Sequence, residues 1–441
     1  MSRNTLSGNE LLLKPAEESV PYNNWLLWLK SFAVNCVKKN HFPINVGKFY
    51  TANDFWMVLI IHALLNQSLD EASDRLNQIL WNEENSHRRY KISPPEYNGK
   101  FKRRKRKCPN GDQTRKYRNT LPKWLVKNLN RFIFGQQIDF ALKEKLITNE
   151  IDMIVDNTDQ WYYGNDRYPD NLFITKGHNG PGTSRKRKYL GIMLKCGTTY
   201  LYCGVDIIKK KHSNVPFILE TADWLIGKGY KIRYLIGDRW FPTVELLKEL
   251  PSREIHYIGP YKKWAPVKRI IKKYIMYGGK YIVPYTIKGA PKKYYNKSGI
   301  QIWLILTNRQ GRRLRDIRRD YLKKQKSLDE CMKEIMVMAT TIAPPSGKKK
   351  SQGWAVQICR VYDHRWQIET GFRDLNRISP PSNARTNTRK LFMCSVRYWV
   401  YNAWQLERAK RRRLRRCPKS WKKGPTLRRF TDCAVQMGVC V

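Results

Sequence analysis

The sequence predicts an α/β fold: a mixed sheet flanked by helices, with an all-α N-terminal domain and a β-rich insertion. Three observations lead there. Residues 1–145 carry apolar positions at helical spacing. From residue 151, short β-type runs (IDMIVD, KYLGIMLK, TTYLYCGVDII) precede a helical stretch, VPFILETADWLIGKG, and a further strand, YKIRYLIG. Residues 255–306 return to strand-like runs rich in Tyr, Ile, Val and Trp, broken by Gly278, Gly279, Pro284 and Pro291.

In the N-terminal domain, Thr51 to Asp54 and Ser68 to Glu71 have capping-box form. Each opens a periodic segment, through Phe55, Val58 and Leu59 and through Leu69, Ala72, Leu76 and Ile79. Two helices on a short turn suit a DNA-reading helix-turn-helix and equally a plain packing unit. Residues 93–117 read as a basic linker, with an unbroken basic run from Lys102 to Lys107 that is either a phosphate-gripping arm or a solvated charge run.

The expected divisions are 1–145, helical and a candidate DNA-binding unit; 146–260 with 351–407, the α/β core; 261–350, the β-rich insertion; and 408–441, a basic tail. Residues 312–342 and 353–376 show helical periodicity.

Charge narrows the partner. The 85 Lys and Arg against 36 Asp and Glu leave a net charge of +49, spread along the whole chain. A field of that size favours a polyanion and supplies salt-sensitive phosphate affinity. Lys209 to Lys211, Lys348 to Lys350 and the Arg408 to Arg416 run are candidate phosphate contacts acting on affinity rather than sequence choice. The 10 cysteines form no Cys-x2-Cys pair, which argues against structural zinc and for a reducing compartment. No stretch approaches the roughly 20 apolar residues of a membrane span, so the expected location is cytoplasmic, on the nucleoid.

In so basic a chain, acidic residues at the ends of apolar strands stand out. Asp156 ends IDMIVD and Asp238 follows YKIRYLIG. Carboxyl ends of adjacent strands lie side by side, so both could face a common divalent ion. Either alone could equally cap a turn, and Asp152 and Asp159 compete locally with Asp156. Glu369 is better specified. Tyr362, Arg365, Glu369, Arg373 and Asn376 recur every three or four positions and share one helical stripe. Trp354, Val361, Ile368, Phe372 and Leu375 fall on the neighbouring, sheet-facing stripe.

The segment from Tyr362 resembles the Tyr-x2-Arg-x3-Glu-x6-Lys signature of DDE insertion-sequence transposases. Asp156-Asn-Thr, with Tyr162-Tyr163-Gly164 downstream, is similar to that group's first Asp motif, and Gly237-Asp238-Arg239-Trp240-Phe241 to its Asp-Arg-Gly-Phe block. The resemblance implies an RNase H-like core and metal-dependent cut-and-paste transposition. Asp156, Asp238 and Glu369 would hold two Mg2+ ions, with Mn2+ as a substitute. Water would attack the phosphate at a transposon end, and the freed 3′ hydroxyl would attack target DNA. The partners implied are double-stranded DNA, as terminal inverted repeats and target, and a second copy of the chain on paired ends.

Tyr362, Arg365, Arg373, Asn376, Arg239, Lys390 and Trp303 are the expected DNA contacts. Trp303 and Trp264 would either stack on a flipped base or pack within the insertion. Two positions depart from the pattern: Asn376 stands where the group has Lys, and Trp240 where Gly is usual. Arg373, Arg377 or Lys390 would then take over the end-phosphate contact. The alternatives are a catalytically dead, DNA-binding relic and an RNase H-like resolving or repair nuclease.

Overall fold

A computed structural model describes residues 54–55, 58–59, 61–62, 68–85, 108–120, 122–163, 170–180, 182–287, 299–308, 313–378 and 386–413. The Lys102 to Lys107 run, Gly164, most of the tail and part of the first capping box lie outside them.

The second capping box forms: the Ser68 amide donates to Glu71 and the Glu71 amide to Ser68 Oγ, opening α1 (Leu69–Asn85). The end of the expected linker is folded rather than extended. Cys108 is buried beside Ser73, Asn110 and Gln113 cap each other's amides, and α2 (Gly111–Thr120) packs back on α1. Reciprocal capping satisfies backbone donors that a linker would leave to water. Helix α3 (Lys123–Lys143) then leads into the sheet.

That sheet begins with β1 (Glu150–Trp161), β2 (Ile174–Gly180), β3 (Thr183–Cys196) and β4 (Thr199–Ile207). After α4 (Val215–Gly227) come β5 (Lys231–Gly237), α5 (Val244–Glu249) and β6 (His256–Pro260). Strand β3 runs antiparallel to β1 and β4, while β5 is parallel to β1 and β6 to β5. The order β4-β3-β1-β5-β6 is the RNase H-like core that the resemblance implied. Strand β2 extends it as a hairpin on the first half of β3.

Residues 261–350, expected as a β-rich insertion subdomain, mix helices with strands. They hold α6 (Ala265–Tyr277), β7 (Ile282–Ile287), β8 (Ile300–Asn308), α7 (Leu314–Leu322), α8 (Leu328–Glu334) and β9 (Ile335–Thr340). Their strands continue the same sheet through the antiparallel β6–β9 pair, in the order β6-β9-β8-β7. Residues 265–277 are helical because Val267, Ile271 and Ile275 recur every four positions and bury one face. Residues 335–340, read as helical, form a fully paired strand.

The expected helix over 353–376 is two: α9 (Lys348–Asp363) and α10 (Trp366–Arg377), separated by His364 and Arg365. Both intervening residues keep right-handed backbone angles, so the polar stripe runs across the break. Ile368, Phe372 and Leu375 are buried as the neighbouring stripe required, and Trp354 and Val361 partly so. The long α11 (Asn387–Arg413) closes the core; its Asn402 bonds both backbone groups of Tyr202 in β4 and the Gln137 side chain in α3.

Candidate active site

The last rung of the parallel β1–β5 ladder joins Val155 to Gly237; Asp156 is the next residue of β1 and Asp238 the first residue beyond β5. Strand β1 does not end there. It continues to Trp161 against β3, with Asp156 opposite Gly191, so Asp156 is a mid-strand residue at the point where β5 peels away. The turn after Asp238 is held by the Tyr257 hydroxyl, which donates to the Asp238 carbonyl at 3.2 Å.

Helix α10 approaches closely because the sheet is shaved beneath it. A Cβ on Gly191 would lie 2.8 Å from the Phe372 ring, and one on Gly371 would lie 2.5 Å from the Tyr202 hydroxyl. This close seat brings Glu369 over the Asp156 region, and Arg365 makes the connection. Its Nη1 lies 2.7 Å from Asp156 and its Nη2 2.6 Å from Glu369, while its Nε donates to the Tyr362 hydroxyl at 2.7 Å. All three acids belong to one electrostatic neighbourhood. Burial pushes the Asp156 carboxyl up to about 6, opposed by Arg365 and the Asn157 amide, with the charges of Asp238 and Glu369 adding to the rise. Burial works against the charged form of Arg365, but Tyr362, Asp156 and Glu369 together hold it above the ordinary arginine range.

Among the described residues, no three His, Cys, Asp or Glu side chains are gathered tightly enough to grip an ion as they stand. The Arg365 guanidinium spans two of the three acids. In chemical character the donors fit a hard divalent cation: all are carboxylate oxygens, and a cationic group already bridges two of them.

The rival aspartates are occupied elsewhere. Asp152 is buried between Lys195 at 3.0 Å and Arg233 at 3.0 Å, and Asp159 pairs with Lys186 at 3.3 Å. Of the expected DNA contacts, Tyr362 and Arg365 point into the carboxylate cluster, and Arg373 and Arg239 are exposed. Asn376 is exposed on α10 and lines a small cleft with Asp159, Gln160 and Arg397. Lys390 lies 5.6 Å from the Tyr162 ring, toward the far end of β1. Trp303 is a half-buried strand residue of β8.

Sequence reading singled out Trp264, as a stacking or packing residue, and Trp240, as a departure from pattern, but missed that they pair beside Asp238. Trp240 and Trp264 are 63% and 57% exposed, and Lys262 lies 3.2 Å from the first ring centroid and 5.2 Å from the second. They line a cleft of about 750 Å³ with Arg239, Arg269 and Tyr261. Lys262 gave no signal, because the pairing joins different loops.

The family profile described as transposase DDE domain matches residues 152–379, more than half of the chain. A cryo-EM structure of a piggyBac transposase synaptic complex with hairpin DNA is similar at a TM-score of 0.45 and 9% identity, covering 94% of this chain and 77% of that one. No curated protein matches.

Proposed function

This chain belongs to the transposase DDE-domain family, and we propose that Asp156, Asp238 and Glu369 are its catalytic acids. The observation that carries this reading is the convergence described above: two acids at the end of one ladder, with the third tied to the first through Arg365. The family is one of DNA-cleaving, strand-transferring enzymes that use divalent metal ions. The finer reading is cut-and-paste transposition of the insertion-sequence group with the Tyr-Arg-Glu-Lys signature.

In that reading the three carboxylates hold two Mg2+ ions, or Mn2+ in their place. Bound there, the ions supply activation of the attacking water and stabilisation of the leaving oxygen. The chain's own groups do the rest. Asp156, Asp238 and Glu369 would hold the ions and, through them, set the place of the scissile phosphate, and Tyr362 orients Arg365. Arg239, Arg373, Asn376 and Lys390 grip flanking DNA, with Trp303 as a further contact. The oxygen of water joins phosphorus as the bond to the 3′ oxygen breaks; the freed 3′ hydroxyl then attacks a target phosphorus, whose own bond to the target's 3′ oxygen breaks in turn. Two copies pair on the terminal repeats, on the nucleoid in the cytoplasm. Among the described residues no helix is long and apolar enough to cross a membrane.

The test is cleavage of DNA carrying the element's own ends, with Mg2+ or Mn2+. Wild type cuts, and Asp156→Asn, Asp238→Asn and Glu369→Gln each bind ends without cutting. End binding by wild type with no cleavage under any divalent ion would instead identify a relic.

A further inference from the structure

Arg365 uses its whole guanidinium inside the site. One edge reaches Asp156, the other reaches Glu369, and Nε is held by the Tyr362 hydroxyl. Its backbone is fixed as well, at the two-residue turn between α9 and α10, where its amide donates to the Tyr362 carbonyl at 2.9 Å. The two acids it joins come from elements that share no local geometry, a mid-strand position of β1 and the first turn of α10. A planar fork is the side chain suited to hold two carboxylates at once. Its guanidinium fills the space between Asp156 and Glu369, two of the three acids a divalent ion would need.

We infer that Arg365 is a positioning residue, the site's resident counter-ion: it keeps Asp156 and Glu369 paired while no divalent ion is bound and must leave at least one of them before an ion can bridge both. The inference rests on the reading of these acids as metal ligands. The physical reason for such a residue is that Asp156 is largely buried, and an uncompensated charge there is costly. A resident cation offsets the repulsion between Asp156 and Glu369 while no ion is bound. Its cost is competition, because apparent ion affinity falls by the fraction of molecules in which the guanidinium has swung away. Ion uptake by the free protein is therefore held down by a side chain that belongs to the same site.

The test uses the full chain without DNA and Ca2+ as the probe, followed by titration calorimetry and by thermal melting. Arg365→Gln should bind Ca2+ more tightly than wild type, on the order of tenfold. It should melt lower than wild type without Ca2+ and gain more from Ca2+ than wild type does. Arg365→Lys should fall between the two, since an ammonium cannot fork to both acids. Arg239→Gln removes an equal charge near Asp238 without touching the Asp156–Glu369 pair, so it measures the general field and should change affinity less than about twofold. Ca2+ affinity in Arg365→Gln that is unchanged, or raised only as much as in Arg239→Gln, would overturn the inference. A poorly folded Arg365→Gln leaves the decision to Arg365→Lys, which must bind Ca2+ more tightly than wild type. Should Glu369→Gln leave wild-type Ca2+ binding intact, the metal-ligand reading itself fails, separately from the role of Arg365.

Discussion

Val155 and Gly237 form the last rung of the parallel ladder between β1 and β5, and that single register places Asp156 beside Asp238. A slip of one residue would turn either acid to the opposite face of the sheet. The location also desolvates Asp156, which has a testable pH signature.

Asp156 rises from an ordinary 3.8 to about 6, with burial as the main cause. A raised carboxyl favours the folded state below the unfolded value and loses that contribution as pH climbs through the folded one. Wild type should therefore lose roughly 2–3 kcal/mol between pH 4 and pH 7 from this group. Asp156→Asn should flatten that part of a urea-denaturation profile. Ion binding needs the ionised form, so Ca2+ affinity should drop as pH falls below about 6; parallel profiles for the two proteins would refute the assignment.

Asp152 makes a contrasting prediction. It is buried between Lys195 and Arg233, and Asp152→Asn takes the carboxylate from a nearly buried Lys195 and one of two acids from Arg233. Arg233 keeps Glu150 at 3.6 Å, so the loss falls on Lys195, and breaking such a buried pair costs about 3–5 kcal/mol. Denaturant melts should show that loss, while end cleavage per folded molecule stays near wild type. Loss of cleavage with stability intact would move Asp152 into the catalytic set.

Trp240 and Trp264 flank Lys262 on an exposed cleft, so replacing both with Ala should leave the melting temperature nearly unchanged. Base stacking on an aromatic ring is worth about 1–3 kcal/mol. Affinity for a single-stranded oligonucleotide should thus fall by roughly tenfold or more, as read by fluorescence anisotropy. Equal affinities would leave the pair without a role in DNA contact.

What was legible in the sequence was local. The Ser68–Glu71 box, the apolar stripe through Ile368, Phe372 and Leu375, and the strand runs around Asp156 and Asp238 each follow from spacing within one segment. What was not legible depends on distant pairing. Residues 261–350 look β-rich alone, but nothing local says that β9 pairs with β6 and extends the main sheet. The helix at 265–277 was hidden because its Ile and Tyr residues also suit strands. Arg365 and Glu369 share a helical stripe in the sequence, whereas the bond from Arg365 to Asp156 spans 209 positions and appears only in three dimensions.

The most direct test of the central claim is the residual rate of end cleavage in Asp156→Asn, Asp238→Asn, Glu369→Gln and the triple variant, measured side by side with Mg2+. Groups that act as one unit are non-additive. The account predicts that each single variant falls by on the order of a thousandfold or more and that the triple variant is scarcely worse. A single variant that cuts like wild type, or losses that multiply through the series, would contradict it.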